Sequence, residues 1–473
     1  MGNRYEKLLG NTLIFAIGSF SSKALVLLMM SFYTRTLTDM QFGAAELITT
    51  TSNLLTPFVM LSINEAIIRF GMDRTVKKTE VLSIGLSVVL MGFAVFCLFC
   101  PLMLQFEMIS SYTLLIYLYV LAAALKSVVA QFVRSSGAVR LYAFDGFIST
   151  ATTILFNILF LAICHLGMIG YVLSIILSNV LSVIFLFFTA RLPRLVNLWH
   201  INKPLRREML RYAIPLIPTT MFWWITTACD RYIIIYYYGE AANGLYSAAH
   251  KLPAVLTLVS AVFYQAWQIS AISESGQGNR SRHFYSQVYD YYTTLLFVAA
   301  SGIIMLCRPV ISIWLGEAFR ASWEYVPFLT IAEVISTLVT FLGSFYMVSK
   351  RNATVPLAIA VGAVANLVLN FLFVPDYGAK GAALATVFSY MLAFVVRAFD
   401  VRRFVDIDLR PLPSALSLLI LMMQAWLLLN PNVAHPFWAQ IMMFAVMLLF
   451  NLRPLLRLCF ALLDRFAKPC RRT

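Results

Sequence analysis

Apolar stretches of about 20 residues recur along the whole chain and alternate with short segments rich in charge, glycine or proline. A transmembrane helix needs about 20 mostly apolar residues to cross ~30 Å of hydrocarbon. Taking each stretch as one span predicts fourteen helices. They cover residues 10–34, 42–66, 81–101, 110–132, 141–163, 168–189, 212–237, 243–268, 287–307, 323–348, 354–374, 379–400, 411–429 and 435–455. The pattern predicts an all-α polytopic membrane protein.

Composition agrees with that prediction and excludes soluble classes. Hydrophobic residues make up 61% of the 473 residues and charged residues 12%, whereas a soluble domain carries about 25% charged residues. The seven cysteines show no metal-ligand spacing and no disulfide framework. Because no phosphate-binding loop, zinc motif or nucleotide domain is present in the sequence, we predict no cofactor and no enzymatic activity.

The net charge of +15 follows the predicted topology. Of the 36 Lys and Arg residues, 28 fall in or next to alternate segments on one side, four in or next to segments on the other side, and four well inside predicted spans. Cytoplasmic loops carry the excess of Lys and Arg, so both termini are predicted to be cytoplasmic. The basic excess therefore requires no nucleic-acid partner.

A short motif occurs twice. Asn157-Ile-Leu-Phe160 precedes Gly167-Met-Ile-Gly170, and Asn370-Phe-Leu-Phe373 precedes Gly378-Ala-Lys-Gly381. Both copies lie between the fifth and sixth span of a half, which predicts two parallel six-helix repeats around a central cavity, followed by two C-terminal helices. The predicted divisions are an N-lobe at 1–189, a basic cytoplasmic linker at 190–211, a C-lobe at 212–400, and the last two spans with a basic tail at 401–473.

Three lysines lie inside predicted spans. A charged residue at a helix centre costs about 2.5–3.5 kcal/mol on insertion, so it is expected to face a partner or a water-filled cavity. Lys23 lies ~20 Å into the first span, too deep to reach the cytoplasmic surface, with a structural ion pair as the alternative to a functional role. Lys126 and Lys251 are closer to a membrane surface, and snorkelling of the side chain remains open for both. Lys251 also follows His250 and precedes Pro253, which predicts a bent segment.

Acidic residues begin two polar stripes. Glu46 precedes Thr49, Thr50 and Asn53 on the second span, and Asp145 precedes Ser149, Thr152, Thr153 and Asn157 on the fifth. Such stripes in apolar helices are expected to face a lumen, although both acids could also be interfacial carboxylates. Pro57 is expected to kink the second span.

The seventh span is the most irregular. Pro215 and Pro218 interrupt its start, Trp223 and Trp224 add aromatic bulk, and Asp230-Arg231 follow. Broken helices at a repeat interface are typical of transporters. A simple ion pair between Asp230 and Arg231 is the alternative.

Several motifs together resemble bacterial oligosaccharide repeat-unit (O-antigen/polysaccharide) flippases of the multidrug/oligosaccharidyl-lipid/polysaccharide exporter superfamily. The motifs are Ser22-Lys23, Phe42-Gly43, Glu65-Ala66-Ile-Ile-Arg69, Pro215-Leu-Ile-Pro218, Trp224, Asp230-Arg231-Tyr232, Gly239, Gly244-Leu-Tyr246-Ser247 and Gln265-Ala-Trp267. They occur across most of the first twelve spans, whereas the last two match only in hydropathy.

The resemblance implies a flippase that moves an undecaprenyl-pyrophosphate-linked oligosaccharide across the bacterial cytoplasmic (inner) membrane by alternating access, driven by an ion gradient. Expected partners are this cargo, membrane lipids, and a polysaccharide polymerase with glycosyltransferases. Under this hypothesis the phosphates are bound by Lys23, Lys126, Arg231 and Lys251, and the sugars stack on Trp223, Trp224 and Tyr246. Glu46, Asp145 and Asp230 are the candidates for ion coupling.

Two related functions remain as alternatives. A lipid II flippase also carries a pyrophosphate-linked cargo. A multidrug or cation antiporter is expected to have an acidic, aromatic lumen, which the lysines inside the spans do not favour. A membrane-embedded glycosyltransferase or polymerase is disfavoured because the longest predicted outer loop, 307–323, is short.

Overall fold

The computed structural model describes residue 25 and residues 27–73, 75–197, 201–273, 279–348, 355–433 and 435–457. Most of these residues are helical, and none of them lies in a β-strand. The helices are α1 (27–36), α2 (Asp39–Val59), α3 (Ile63–Gly71), α4 (Lys78–Leu98), α5 (Cys100–Met103), α6 (Glu107–Ser110), α7 (Thr113–Ser135), α8 (Val139–Asn157), α9 (Gly167–Thr189), α10 (Lys203–Ala213), α11 (Ile217–His250), α12 (Ala254–Ser273), α13 (Asn279–Trp314), α14 (Val326–Val348), α15 (Val355–Val401), α16 (Pro411–Leu429), α17 (Pro436–Phe450) and α18 (452–457).

Eight helices in the described ranges are long and apolar enough to cross a membrane, or nine when α2 and α3 count as one bent span. The predicted all-α polytopic class is therefore confirmed. The segment Ala358–Val401 of α15 has 44 residues, which is enough for two spans, and its backbone leaves the helical conformation at Gly378. The two parts of α15 coincide with the predicted spans 354–374 and 379–400. The total of fourteen spans stays a prediction.

The chain forms two compact units, Met1–Gly244 and Leu245–Thr473. The first unit contains the helices up to α10 and most of α11, and the second contains α12 to α18. The lobe and linker boundaries predicted from the sequence stay predictions.

Two predicted spans are bent. The axis turns by 55° between α2 and α3, where Leu61 and Ser62 have positive φ values of 48° and 51°. The bend lies a few residues beyond Pro57, which itself stays inside α2. The predicted span 243–268 is interrupted as expected beside Pro253, because α11 ends at His250 and α12 begins at Ala254.

The segment predicted as a linker contains an amphipathic helix, α10. Asn202 caps its start by accepting a hydrogen bond from the Leu205 backbone N–H at 3.1 Å. Leu205, Met209 and Ala213 are buried in a cluster that includes apolar residues of α3, α4 and α7, whereas Arg207 on the opposite face is exposed. The helix therefore belongs to the packed core of the first unit.

The repeated motif adopts the same turn in both units. Gly167 and Gly378 have left-handed backbones with φ of +56° and +57°, a conformation that glycine adopts without a steric penalty. Three residues later, a Cβ on Gly170 would lie 3.2 Å from a backbone oxygen of the preceding helical segment, and a Cβ on Gly381 would lie 2.3 Å from one. These matching constraints agree with the predicted internal repeat.

Helices α2 and α11 approach each other backbone to backbone. A Cβ on Gly43 would lie 1.9 Å from the carbonyl oxygen of Glu240, and a Cβ on Gly244 would lie 2.0 Å from that of Asp39. The side-chain amide of Asn243 donates a hydrogen bond to the Gly43 carbonyl oxygen at 2.9 Å. Only glycine permits this contact, which holds α2 against the later part of α11.

We expect Gly43→Ala to lower the midpoint of thermal unfolding of the detergent-purified protein, because the added methyl group must push two helix backbones apart. Overpacking of this kind costs about 1–3 kcal/mol. Gly146→Ala is the matched control, since that glycine is also helical and nothing lies within 4 Å of an added Cβ. Equal midpoints for the two variants would contradict a tight α2–α11 contact.

Candidate functional site

A half-buried arginine, Arg231, lies between α2 and α11. The Arg231 Nη1 donates hydrogen bonds to Glu46 Oε2 at 3.3 Å and to Thr50 Oγ1 at 2.7 Å. The side chains of Arg231 and Glu46 are only 16% and 7% exposed. Because Glu46 and Thr50 are four residues apart, they lie on one face of α2 and reach the same guanidinium group. We call Arg231, Glu46 and Thr50 the arginine cluster.

The guanidinium group retains hydrogen-bonding capacity. The Nε of Arg231 is buried and has no hydrogen-bond partner among the described residues. A guanidinium carries five N–H donors in a planar fork, and the arginine cluster leaves the Nε donor unsatisfied within the described part of the chain. A donor of this type suits a phosphate or a carboxylate.

Aromatic side chains line the arginine cluster. The indole N–H of Trp224 donates to the Thr50 carbonyl oxygen at 3.2 Å, and the Tyr232 hydroxyl lies 2.6 Å from Thr51 Oγ1. The Trp224 and Tyr232 rings meet edge to face at 5.5 Å. Tyr33 and Tyr171 also pack edge to face, with ring centroids 5.0 Å apart.

Asp230 takes a different position from its neighbour. It is 2% exposed, and its Oδ1 accepts a hydrogen bond from the backbone N–H of Arg231 at 2.9 Å. The guanidinium of Arg231 meanwhile contacts α2. The sequence suggested Asp230 as the ion-pair partner of Arg231, and the structure adds Glu46 as a carboxylate bound to that arginine.

Lys126 lies in a second polar cluster, between α7, α8 and α9. Its ammonium group donates to Ser149 Oγ and, at 3.1 Å, to Asn179 Oδ1. Asp145 is 3% exposed, interacts electrostatically with Lys126 and accepts a hydrogen bond from Ser182 Oγ at 2.6 Å. Lys126 and Asp145 are therefore parts of one buried network, which we call the lysine cluster.

Most of the polar partners on α9 were missed in the sequence analysis. Ser174, Ser178 and Ser182 are buried and recur every four residues, so they form one stripe on an otherwise apolar helix. Ser178 donates to the Ser149 backbone oxygen at 2.7 Å. The regular spacing of these small polar residues is the signal that could have identified the stripe.

Of the remaining candidates, Tyr246 and Lys251 belong to the second unit, and two others cannot be placed. Tyr246 is 0% exposed, and its ring packs against His250 at 4.8 Å and Tyr325 at 6.3 Å. Lys251 is half-buried in the turn between α11 and α12. Lys23 and the side chain of Trp223 lie outside the described residues.

The clusters occur within a segment that matches a known family. The family described as Polysaccharide biosynthesis protein matches residues 8–274, more than half of the 473 residues. The chain therefore belongs to this family of polysaccharide biosynthesis proteins. The resemblance inferred from the motifs is confirmed at that level.

A curated relative and two solved structures extend the comparison. The chain is 21% identical over 203 residues to the probable low-salt glycan biosynthesis flippase Agl15 of Haloferax volcanii, and the alignment spans 42% of this chain and only 43% of that relative. The lipid II flippase MurJ in an inward closed conformation has a TM-score of 0.71 at 14% identity, with 95% of this chain and 100% of that chain covered. An inward-facing multidrug resistance MATE family transporter of the MOP superfamily has a TM-score of 0.66 at 14% identity, with 80% and 94% covered. At 14% identity, the TM-scores of these two structures establish a shared fold and nothing beyond it.

We expect Lys126→Met to destabilise the protein, because it leaves buried Asp145 without its neighbouring positive charge. Leaving a buried polar group without the positive charge that lies near it is expected to cost about 1–3 kcal/mol. Lys126→Met combined with Asp145→Asn should cost less than Lys126→Met alone, as measured by thermal unfolding in detergent. Lys380→Met is the control, since its ion pair with Glu324 is exposed and is expected to contribute about 1 kcal/mol or less. An unchanged midpoint for Lys126→Met would show that the lysine cluster does not stabilise the fold.

Proposed function

We propose that the protein is a lipid-linked oligosaccharide flippase, which carries an undecaprenyl-pyrophosphate repeat unit across the bacterial inner membrane for surface polysaccharide biosynthesis. Movement occurs by alternating access and is driven by an ion gradient. The family match over residues 8–274 supports this assignment. The protein acts as a transporter and not as an enzyme, with both termini in the cytoplasm.

The arginine cluster is the observation on which the proposal rests. A diphosphate headgroup needs cationic donors to leave water for a membrane interior. Arg231 is a half-buried cation whose Nε donor has no partner among the described residues, and its guanidinium suits a phosphate in a bidentate geometry. Trp224 and Tyr232 stand next to it and offer the type of ring surface on which sugars stack.

Glu46 provides a physical route for coupling cargo to an ion. As a carboxylate it holds Arg231 through the 3.3 Å contact, so it competes with the cargo phosphate for the same guanidinium. Protonation of Glu46, or its occupation by Na⁺, weakens that contact and releases donors to the phosphate. Ion binding and cargo binding at Arg231 are then linked by a shared side chain, which is the requirement for coupled transport.

The other predicted residues have secondary roles in this proposal. Lys23, Lys126 and Lys251 supply further positive charge for the phosphates, and Asp145 and Asp230 are additional sites for the coupling ion. Trp223 and Tyr246 add aromatic surface for the glycan. Glycosyltransferases act before the flippase, and a polysaccharide polymerase acts after it, on the same lipid-linked intermediate.

In a strain that lacks this protein, lipid-linked oligosaccharide should accumulate on the inner leaflet, and mass spectrometry of extracted lipids measures it. The wild-type gene should clear that pool, whereas Arg231→Ala should leave it at least tenfold above wild type, because loss of one charged hydrogen-bonding partner costs about 1.5–3 kcal/mol. Arg320→Ala is the matched control, since Arg320 forms an exposed ion pair with Glu317 at 3.1 Å. It should clear the pool as wild type does.

Two outcomes would contradict the proposal. Full clearance by Arg231→Ala at normal expression would remove this residue from cargo binding. If the protein instead rescues a strain that lacks its peptidoglycan precursor flippase while no oligosaccharide accumulates in its own deletion strain, its cargo is lipid II.

Glu46→Gln should uncouple transport from the ion gradient. The amide cannot take up a proton, so Arg231 stays accessible to the phosphate at every pH. In proteoliposomes, flipping of a fluorescent lipid-linked oligosaccharide should then no longer accelerate when a pH gradient is imposed. Glu317→Gln, a change at an exposed carboxylate, should leave the acceleration intact. Acceleration of the Glu46→Gln variant equal to wild type would exclude Glu46 as the proton site, and a response only to a Na⁺ gradient would identify Na⁺ as the coupling ion.

A further inference from the structure

A basic recess lies within the second unit, next to the beginning of α16. It is a cavity of about 300 Å³ lined by Arg410 from the start of α16, by Arg453 and Arg457 of α18, and by hydroxyl groups that include Thr293, Thr294 and Ser417. A second, more polar cavity of about 410 Å³ shares Asp290, Arg410 and Arg457 with it. We call the first cavity the basic recess.

The charge of the basic recess is not balanced by its own residues. Asp290 is the one carboxylate among its described lining residues, and it is engaged by Arg410 at 2.7 Å. Arg453 and Arg457 are exposed, stand one helical turn apart, and form no ion pair with a described residue. Two guanidinium groups therefore remain for an anion.

The residues around the basic recess suit an amphiphilic ligand better than a soluble anion. Phe297 and Phe450 form part of its wall, and Leu452 and Leu456 beside the arginines are 42% and 46% exposed. An almost entirely apolar cavity of about 250 Å³ shares Tyr289, Phe297 and Ser414 with the recess. Cationic donors thus lie directly beside apolar surface, as they do at a lipid–water boundary.

Buried polar contacts hold the walls in place. Gln424 of α16 and Ser301 of α13 exchange two hydrogen bonds, at 2.7 Å and 3.0 Å. Gln440 of α17 donates to the Gln424 backbone oxygen at 3.1 Å. These amides tie α16 to α13 and α17 to α16, which are helices that contribute lining residues to the recess.

We propose that the basic recess binds the phosphate headgroup of an anionic phospholipid, such as phosphatidylglycerol. Basic pockets between transmembrane helices recognise anionic headgroups through such arginines, and the adjoining apolar surface accommodates the acyl chains. This site lies wholly within the second unit and outside the arginine and lysine clusters. It assigns α16 to α18 a role in binding membrane lipid that is separate from cargo transport.

Native mass spectrometry of the full-length, delipidated protein tests the proposal with phosphatidylglycerol and phosphatidylcholine of identical acyl chains. Wild type should retain phosphatidylglycerol in preference to phosphatidylcholine. Arg453→Gln combined with Arg457→Gln should weaken phosphatidylglycerol binding about thirtyfold, given the usual contribution of each cation near an anionic lipid. The matched control is Arg207→Gln with Arg211→Gln, which removes two exposed arginines one turn apart on α10 and should bind as wild type does.

Thermal unfolding keeps the test independent of folding defects. Without added lipid the three proteins should unfold at the same midpoint, and phosphatidylglycerol should raise the midpoint of wild type and control only. Equal stabilisation by phosphatidylcholine, or an Arg453/Arg457 variant that responds as the control does, would overturn the proposal. Stabilisation by inorganic phosphate equal to that by phosphatidylglycerol would show a soluble-anion site instead. No glycan transport is measured, so these results leave the proposed flippase function untouched.

Discussion

The contact between Arg231 and Glu46 is the constraint on which the first unit depends most. A guanidinium group inside an apolar helix bundle is stable only where acceptors reach it, and α2 supplies both a carboxylate and a hydroxyl. That requirement sets the register of α11 against α2. The Trp224–Thr50 contact and the Tyr232–Thr51 contact both follow from the same register.

Lys126 and Arg231 are half-buried cations of the first unit with different partners. Lys126 donates hydrogen bonds to Ser149 and Asn179, and Asp145 of α8 contributes a nearby negative charge. Arg231 has an Nε donor without a partner among the described residues and lies beside aromatic rings. A polar network in a low-dielectric interior stabilises helix packing where its donors are satisfied, and a donor without a partner favours binding of an acceptor.

The second unit contains the second copy of the repeated motif and, after it, helices α16 and α17. Asn157 and Asn370 are both fully buried, and each precedes a left-handed glycine in its own copy of the motif. The appended helices α16 and α17 are attached through Gln424 and Gln440 rather than through apolar packing alone. Such buried amides fix one arrangement of helices, because any slip would leave them without partners.

The membrane class, most helix positions and the repeated motif could be predicted from the sequence, because the apolar length of each span and the backbone freedom of glycine are local properties. The sequence also identified five polar residues that need partners or a cavity inside apolar helices: Glu46, Thr50, Lys126, Asp145 and Arg231. It predicted a kink in the second span but not its position at Leu61–Ser62. It did not reveal the serine stripe of α9 or the pairing of Arg231 with Glu46 across 185 residues. These features needed the folded structure, because the contact of two side chains depends on the rotation and depth of both helices, which hydropathy does not encode.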